Sequence, residues 1–192
     1  MAMGEFTILG IAGSLRRRSF NRGLLRVAVE VRPDGVQLPI FDLLDVPVYN
    51  ADVEAGGDPP AVEQMKSAIA GADALLLAVP EYNWSIPGVL KNAIDWCSRP
   101  GPGGSASVLR HRPIALMGAG GTGGSSRSQL ALRQALAPLE AYVLPGPPVF
   151  VFHAHEHFDG EGNVVDDQIR ENVRVLLAAL VDWASRVAGP TT

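Results

Sequence analysis

One short stretch near the start of the chain carries residues suited to holding an anion. Residues 10–21 read G-I-A-G-S-L-R-R-R-S-F-N. Small residues allow a tight backbone turn, while hydroxyl, amide and guanidinium groups supply hydrogen-bond donors and positive charge. A helix that begins in such a turn also points unpaired N–H groups at its contents, which favours a phosphate. The spacing is neither that of a Walker loop nor the G-x-G-x-x-G of a Rossmann loop.

On this stretch alone, two interpretations stay open. A hydroxyl-rich turn that carries arginine is similar to a flavin mononucleotide (FMN) phosphate site. An ordinary Gly-Ser turn beside a solvated basic cluster would have the same composition, because short motifs match by chance.

Two later turns are also unusual. Residues 80–87 place Tyr82 and Trp84 among Pro, Asn and Ser, so flat aromatic surfaces lie in a turn, where a planar ligand could rest on them. Residues 118–127 are rich in glycine. We call residues 13–21, 80–87 and 118–127 the first, second and third turns.

The elements around these turns alternate between strand-like and helix-like patterns. Helical spacing of apolar residues predicts helices at 21–31, 61–70, 87–96, 125–136 and from 166 onward. Apolar runs predict strands at 6–11, 36–41, 74–79, 113–117 and an interrupted fifth at 142–144 with 149–152. Residues 45–60 are predicted to form a long loop. The fold class is therefore α/β, a doubly wound parallel sheet, in which the three turns meet at the carboxyl edge.

Composition limits the classes of function. The chain has 192 residues, which suits a single domain over residues 1–192. A net charge of −4 argues against nucleic-acid and membrane-surface binding, since both favour a basic face. The single cysteine, Cys97, cannot form an internal disulfide, and no stretch has the pattern of a signal peptide. These features predict a cytoplasmic location.

The sequence resembles the NADPH-dependent FMN reductase family of flavodoxin-like proteins, which includes quinone, chromate and azo-dye reductases. The matching motifs are G-S-L-R-x-x-S-x-N at 13–21, P-E-Y-N-x-S-I-P-G-x-L-K-N-A-I-D-W at 80–96, and the glycine-rich turn with its L-R-Q helix. The resemblance implies a five-stranded flavodoxin-like sheet of order 2-1-3-4-5 that binds FMN. It also implies NADPH or NADH as co-substrate, and a homodimer or homotetramer.

The resemblance also assigns site residues. It implies phosphate contacts from Ser14, Arg16, Ser19 and Asn21. The flavin ring would be held by Pro80, Glu81, Tyr82 and Asn83, mainly through backbone groups, with Ser85 holding the turn. Gly120, Gly121 and Gly124 would form a third wall, while Trp84 would shape the substrate cleft. For Arg17 and Arg18 two interpretations stay open: they are solvated, or they meet the nicotinamide cofactor's phosphates. One extra residue precedes Arg127 relative to the family pattern, which leaves the position of Arg127 open.

The implied reaction is hydride transfer from NAD(P)H to flavin, then to a quinone or similar small acceptor (flavin, azo dye or chromate) by a ping-pong route. No residue is required as a catalytic base, and Tyr82 is only a candidate proton donor. The alternatives are a flavodoxin-type electron carrier and a flavin-free binding module. The mild net charge and Arg16 favour the enzyme.

Other residues with reactive or metal-binding side chains are predicted to have structural roles. His153, His155 and His157 alternate, so they would share one face of a strand, but we predict no metal site. Cys97 is expected to be a packed thiol, and Lys91 is expected to pair with Asp95. Glu81 could act as a base, although a turn-fixing role is favoured.

Overall fold

A computed structural model describes residues 6–187 and has a parallel sheet at its centre. The inner strands are β1 (Phe6–Ala12), β4 (Ala74–Ala78) and β5 (Pro113–Ala119). They are buried along almost their whole length. Apolar runs without polar alternation suit strands that are covered on both faces, which explains why these three were predictable.

Each edge of the sheet is built from two short segments. On one side β2 (Val36–Gln37) and β3 (Ile40–Phe41) both pair with β1; on the other, β6 (Tyr142–Val143) and β7 (Val149–Val151) pair with β5. The doubly wound fold class is confirmed, but over residues 6–187 the sheet has seven strands instead of the predicted five, and its order is β2-β1-β4-β5-β6 with β3 beside β1 and β7 beside β5. The continuous strand predicted at 36–41 is wrong. Pro39 interrupts it, because proline has no N–H to donate to a neighbouring strand.

Six helices flank this sheet within the described residues. They are α1 (Phe20–Glu30), α2 (Ala51–Glu54), α3 (Pro60–Ala70), α4 (Gly88–Cys97), α5 (Ser126–Leu136) and α6 (Asp167–Val187). The short helix α2 lies within the segment predicted as a loop. Its cap is Asn50, whose side chain accepts a hydrogen bond from the backbone of Asp52.

The core has two layers, one on each face of the sheet. Alternate strand residues point to opposite sides, so Leu76 packs with α1 and α6 while Leu75 and Leu77 pack with α3, α4 and α5. Leu90 and Ile94 are 1% and 6% exposed in the second layer. These two residues therefore pack inside the chain, against the sheet.

The parallel strands place the three turns together. The first turn follows β1, the second follows β4 and the third follows β5, so all lie at the carboxyl edge of adjacent strands. Gly13 lies close to Pro80, and a Cβ on Gly13 would come within 3.1 Å of the Pro80 ring. The first two turns are therefore in contact.

Candidate active site

The first turn ends in an open helix N-terminus. Ser19 precedes α1, and its hydroxyl makes no capping hydrogen bond within residues 6–187. The first bond of the helix runs from the Gly23 N–H to the Ser19 carbonyl, at 2.9 Å. The N–H groups of Phe20, Asn21 and Arg22 therefore have no acceptor inside the helix, which is the geometry that binds anions.

The predicted phosphate residues of this turn surround that N-terminus. Ser14 and Ser19 are each only 3% exposed. Ser14 Oγ accepts from the Arg16 N–H at 3.4 Å, and the Arg16 guanidinium lies 5.2 Å from the centre of the Phe20 ring. The N-terminus of α1 is therefore surrounded by two hydroxyl groups and a guanidinium group, all of which can bind an anion.

Asn21 has a different role from the one we expected for its side chain. Its Nδ2 donates to the Ala119 carbonyl at 2.9 Å, and its Oδ1 accepts from the Ala119 N–H at 3.1 Å. The side chain is buried and links the first turn to the end of β5. Phosphate contact through that side chain stays a prediction, while its backbone N–H belongs to the open first turn of α1.

The second turn is a tight hairpin. The Tyr82 N–H donates to Ser85 O at 3.3 Å, and the Ser85 N–H donates to Tyr82 O at 3.0 Å. Asn83 and Trp84 between them have φ values of 48° and 64°, as in a type I′ turn. Because the Tyr82 N–H is used within the turn, the N–H groups of Glu81 and Asn83 are the ones left to contact a ligand.

The tip of this hairpin is aromatic and exposed. Tyr82 and Trp84 are 52% and 72% exposed. A bulky residue such as Trp84 rarely adopts positive φ, so its backbone is held by the turn at some cost. The Tyr82 hydroxyl lies 3.3 Å from Ser14 Oγ, which joins the second turn to the first across the cleft.

Glu81 joins the second turn to the third. Its Oε2 accepts from the Arg127 N–H at 3.0 Å and the Ser128 N–H at 3.4 Å, while its Oε1 pairs with Arg127 Nη1 at 2.9 Å. The carboxylate therefore caps α5, where the helix dipole favours a negative charge. The Arg127 guanidinium also lies 4.8 Å from the Trp84 ring centre. The position of Arg127, left open by the sequence, is under the ring of Trp84.

The extra residue of the third turn is accommodated by an unusual backbone. Gly124 and Ser125 both have positive φ, at 54° and 71°, just before α5. A Cβ on Gly124 would come within 2.8 Å of Phe152, so no larger side chain fits there. A Cβ on Gly121 would meet nothing within 4 Å, which leaves this residue facing open space.

The three turns border one open cleft with a volume of about 210 Å³. The predicted residues that line it are Ser14, Arg16, Ser19, Asn21, Pro80, Glu81, Tyr82, Gly120 and Gly121. Asn83, Ser85, Trp84, Gly124 and Arg17 do not line it. The sequence interpretation missed Phe20, Ala119 and His155, which do. Phe20 and Ala119 lie within the first and third turns, but nothing local to His155 indicated its position.

The donors of this cleft fit FMN. The first turn contributes hydroxyls, a guanidinium and an open helix N-terminus, which suit a phosphate. The second turn borders the same cleft with Pro80, Glu81 and the exposed Tyr82. The open space in front of Gly121 leaves room for a planar ring along the third turn.

The histidines and the cysteine do not form a second centre. His153 and His155 are not on a strand, and their rings are 6.3 Å apart, while His157 Nδ1 lies 2.7 Å from Asp166. Within residues 6–187, no cluster of three or more His, Cys, Asp or Glu side chains is arranged to hold a metal. Burial raises the pKa of Cys97 to about 12, so its thiol stays protonated at neutral pH.

Known proteins match the chain over nearly its whole length. The family model for NADPH-dependent FMN reductase matches residues 6–156. The chain belongs to this family. An NAD(P)H-dependent FMN reductase of Pseudomonas aeruginosa is 43% identical over 186 residues, 96% of this chain and 98% of that one. An NAD(P)H:quinone oxidoreductase of Solanum tuberosum is 39% identical, covering 95% and 94% of the two chains.

A solved structure agrees with these matches. The flavoenzyme NAD(P)H:(acceptor) oxidoreductase FerB of Paracoccus denitrificans superimposes with a TM-score of 0.80 at 29% identity, covering 94% of this chain and 98% of that one. Membership of this family makes the protein an NAD(P)H-dependent flavin oxidoreductase, not a flavodoxin-type electron carrier. None of the helices in residues 6–187 is both long and apolar enough to cross a membrane.

Proposed function

We propose that this FMN reductase family member passes electrons from NAD(P)H to a small quinone or a similar acceptor by a ping-pong route. The observation that carries the proposal is the single cleft formed by three turns, lined by phosphate donors of the first turn and by the exposed aromatic side chain of Tyr82 from the second. Relatives that are named quinone oxidoreductases support the choice of acceptor. When bound, FMN supplies the redox chemistry, since its ring accepts hydride and passes electrons on.

The protein's part is to bind and to orient. Ser14, Arg16, Ser19 and the open N-terminus of α1 would hold the phosphate, and charge-assisted hydrogen bonds make this the strongest anchor. The backbone N–H groups of Glu81 and Asn83 would contact the ring edge. Gly120 and Gly121 would let the ring approach the third turn closely, because neither has a side chain.

Tyr82 and Trp84 would meet the two substrates in succession. Both are exposed on the hairpin, so an aromatic nicotinamide or quinone can stack on them without displacing core residues. The Tyr82 hydroxyl, beside Ser14, is a candidate to give a proton to the reduced acceptor. The chemistry of the acceptor does not require a side-chain nucleophile.

A spectroscopic experiment tests the function directly. We expect the purified protein to be yellow, to release FMN on denaturation, and to bleach without oxygen when NADPH or NADH is added. Adding a benzoquinone should then restore the colour. Protein that binds no added FMN would refute the proposal, and FMN-loaded protein that reduced nicotinamides do not bleach would favour the electron carrier.

We also propose a single domain, a cytoplasmic location and a homo-oligomer. Support for the oligomer comes from exposed apolar side chains near the cleft and on the long loop: Trp84, Leu44 and Val48 are 72%, 64% and 84% exposed. We expect light scattering of the FMN-loaded protein to give a mass of two or four chains. A mass of one chain at micromolar concentration would contradict the oligomer.

A further inference from the structure

A second cleft lies on the other side of the first turn. It has a volume of about 210 Å³ and lies between α1 and the edge segment β3, at the same carboxyl edge of the sheet as the first cleft. Arg16 lines the first cleft and Arg17 lines the second, so the first turn is the wall between them.

Three arginines line this second cleft, and only part of their charge is balanced. Arg22 Nη2 contacts both carboxylate oxygens of Asp42, at 2.7 and 2.8 Å. Arg26 donates to two neutral oxygens, Gly162 O at 2.7 Å and Asn163 Oδ1 at 3.1 Å. Arg17 is exposed at the mouth and has no ion pair within residues 6–187. Asp42 lines the cleft and Asp159 interacts electrostatically with Arg26, so two carboxylates offset three guanidinium groups and the remaining positive charge attracts anions.

The opposite wall is apolar. Ile40 is 48% exposed on this edge, and Phe41 lies beside it. An exposed β-branched side chain next to arginines suits a ligand that combines a flat ring with a phosphate. Neither an inorganic anion nor a plain hydrocarbon would use both walls.

We propose that the second cleft binds the adenosine 2′-phosphate end of NADPH, with the phosphate on Arg17 and Arg26 and the adenine against Ile40. This inference rests on the proposed function, in which the nicotinamide end enters the first cleft. The two clefts are neighbours: Arg22 of α1, which lines the second cleft, donates through Nε to the carbonyl of Ser14, which lines the first, at 2.9 Å. A dinucleotide that crosses this turn would engage both, and the 2′-phosphate would favour NADPH over NADH.

Calorimetry on the FMN-loaded protein with adenosine 2′,5′-bisphosphate as probe tests the site without turnover. FMN occupies the first phosphate position, so the probe reports on the second cleft. We expect Arg17→Ala to weaken binding of the probe about tenfold, as for a lost charge-assisted bond. The matched control is Arg18→Ala, which removes the same charge from a neighbour that pairs with Glu161 instead. It should change the affinity by less than about twofold.

A variant on the other wall makes the test independent of the arginines. Ile40→Glu places a negative charge against the adenine position and should weaken binding at least as much as Arg17→Ala. Val175→Glu, on an exposed residue of α6 outside the cleft, serves as its control. In steady state, Arg17→Ala should also lower the ratio of kcat/KM for NADPH to that for NADH.

Two results would overturn the site. One is equal probe affinity in wild type, Arg17→Ala and Ile40→Glu; the other is wild-type protein that binds adenosine 5′-phosphate as tightly as the 2′,5′-bisphosphate. Failure of the proposed function is separate, because it would show as tight probe binding by protein that NADPH does not bleach.

Discussion

Replacing Asn21 with leucine is expected to lower the free energy of unfolding by about 3 kcal/mol. The two side chains are similar in size, so the substitution mainly removes hydrogen bonds. The Asn21 amide satisfies both the N–H and the carbonyl of Ala119 in a buried position. Without it, two buried backbone groups lose their partners, and each costs about 1–3 kcal/mol.

Urea denaturation of the FMN-free protein measures this effect, since ligand binding would add its own stabilisation. Asn172→Leu is the matched control, because Asn172 is exposed on α6 and bonds only to Gln168. We expect that control to change stability by less than about 0.5 kcal/mol. If the free energy of unfolding fell by the same small amount in both variants, the hydrogen bonds between Asn21 and Ala119 would not contribute to stability.

Replacing Glu81 with alanine is expected to cost about 2–3 kcal/mol of stability and to weaken FMN binding. The Glu81 side chain is 9% exposed and accepts three hydrogen bonds from α5, two of them from backbone N–H groups. Most of the loss comes from this cap, because Arg127 is 48% exposed and solvent screens its ion pair. Binding weakens because the second and third turns are no longer held together.

Urea denaturation and FMN fluorescence titration measure the two effects. Glu161→Ala is the control, because its ion pair with Arg18 is exposed on both sides, at 65% and 63%. We expect it to change stability by less than about 0.5 kcal/mol. Arg127→Ala should lose less stability than Glu81→Ala, since the backbone contacts to Glu81 remain. The reverse order would mean that the ion pair, not the cap, holds the turns.

These two variants each remove a contact that holds the third turn to one of the other two turns. Asn21 fixes the first turn to the third, and Glu81 fixes the second turn to the third. Neither side chain needs to touch a substrate for the cleft to depend on it. Loss of FMN affinity with an unchanged spectrum of the bound flavin would identify Glu81 as a positioning residue.

The sequence alone determined the elements and the three turns. The inner strands are continuous apolar runs and the five longer helices repeat apolar residues at helical spacing, so the bounds of these elements were predicted to within about two residues. The short helix α2 was not predicted. The three turns stand out because glycine, proline, hydroxyl and aromatic residues interrupt those patterns at the ends of strands. The order of parallel strands then brings the turns to one edge.

Only the tertiary structure decided which contacts join the three turns and which further residues and cleft lie at the carboxyl edge of the sheet. Asn21 meets Ala119 across 98 positions, and Glu81 meets Arg127 across 46. Local periodicity does not encode such pairs, because they depend on how far each strand extends and on the two left-handed residues before α5. The same holds for His155 in the cleft, for the inward packing of Leu90, and for the second cleft, where α1 brings its arginines to the edge segment β3.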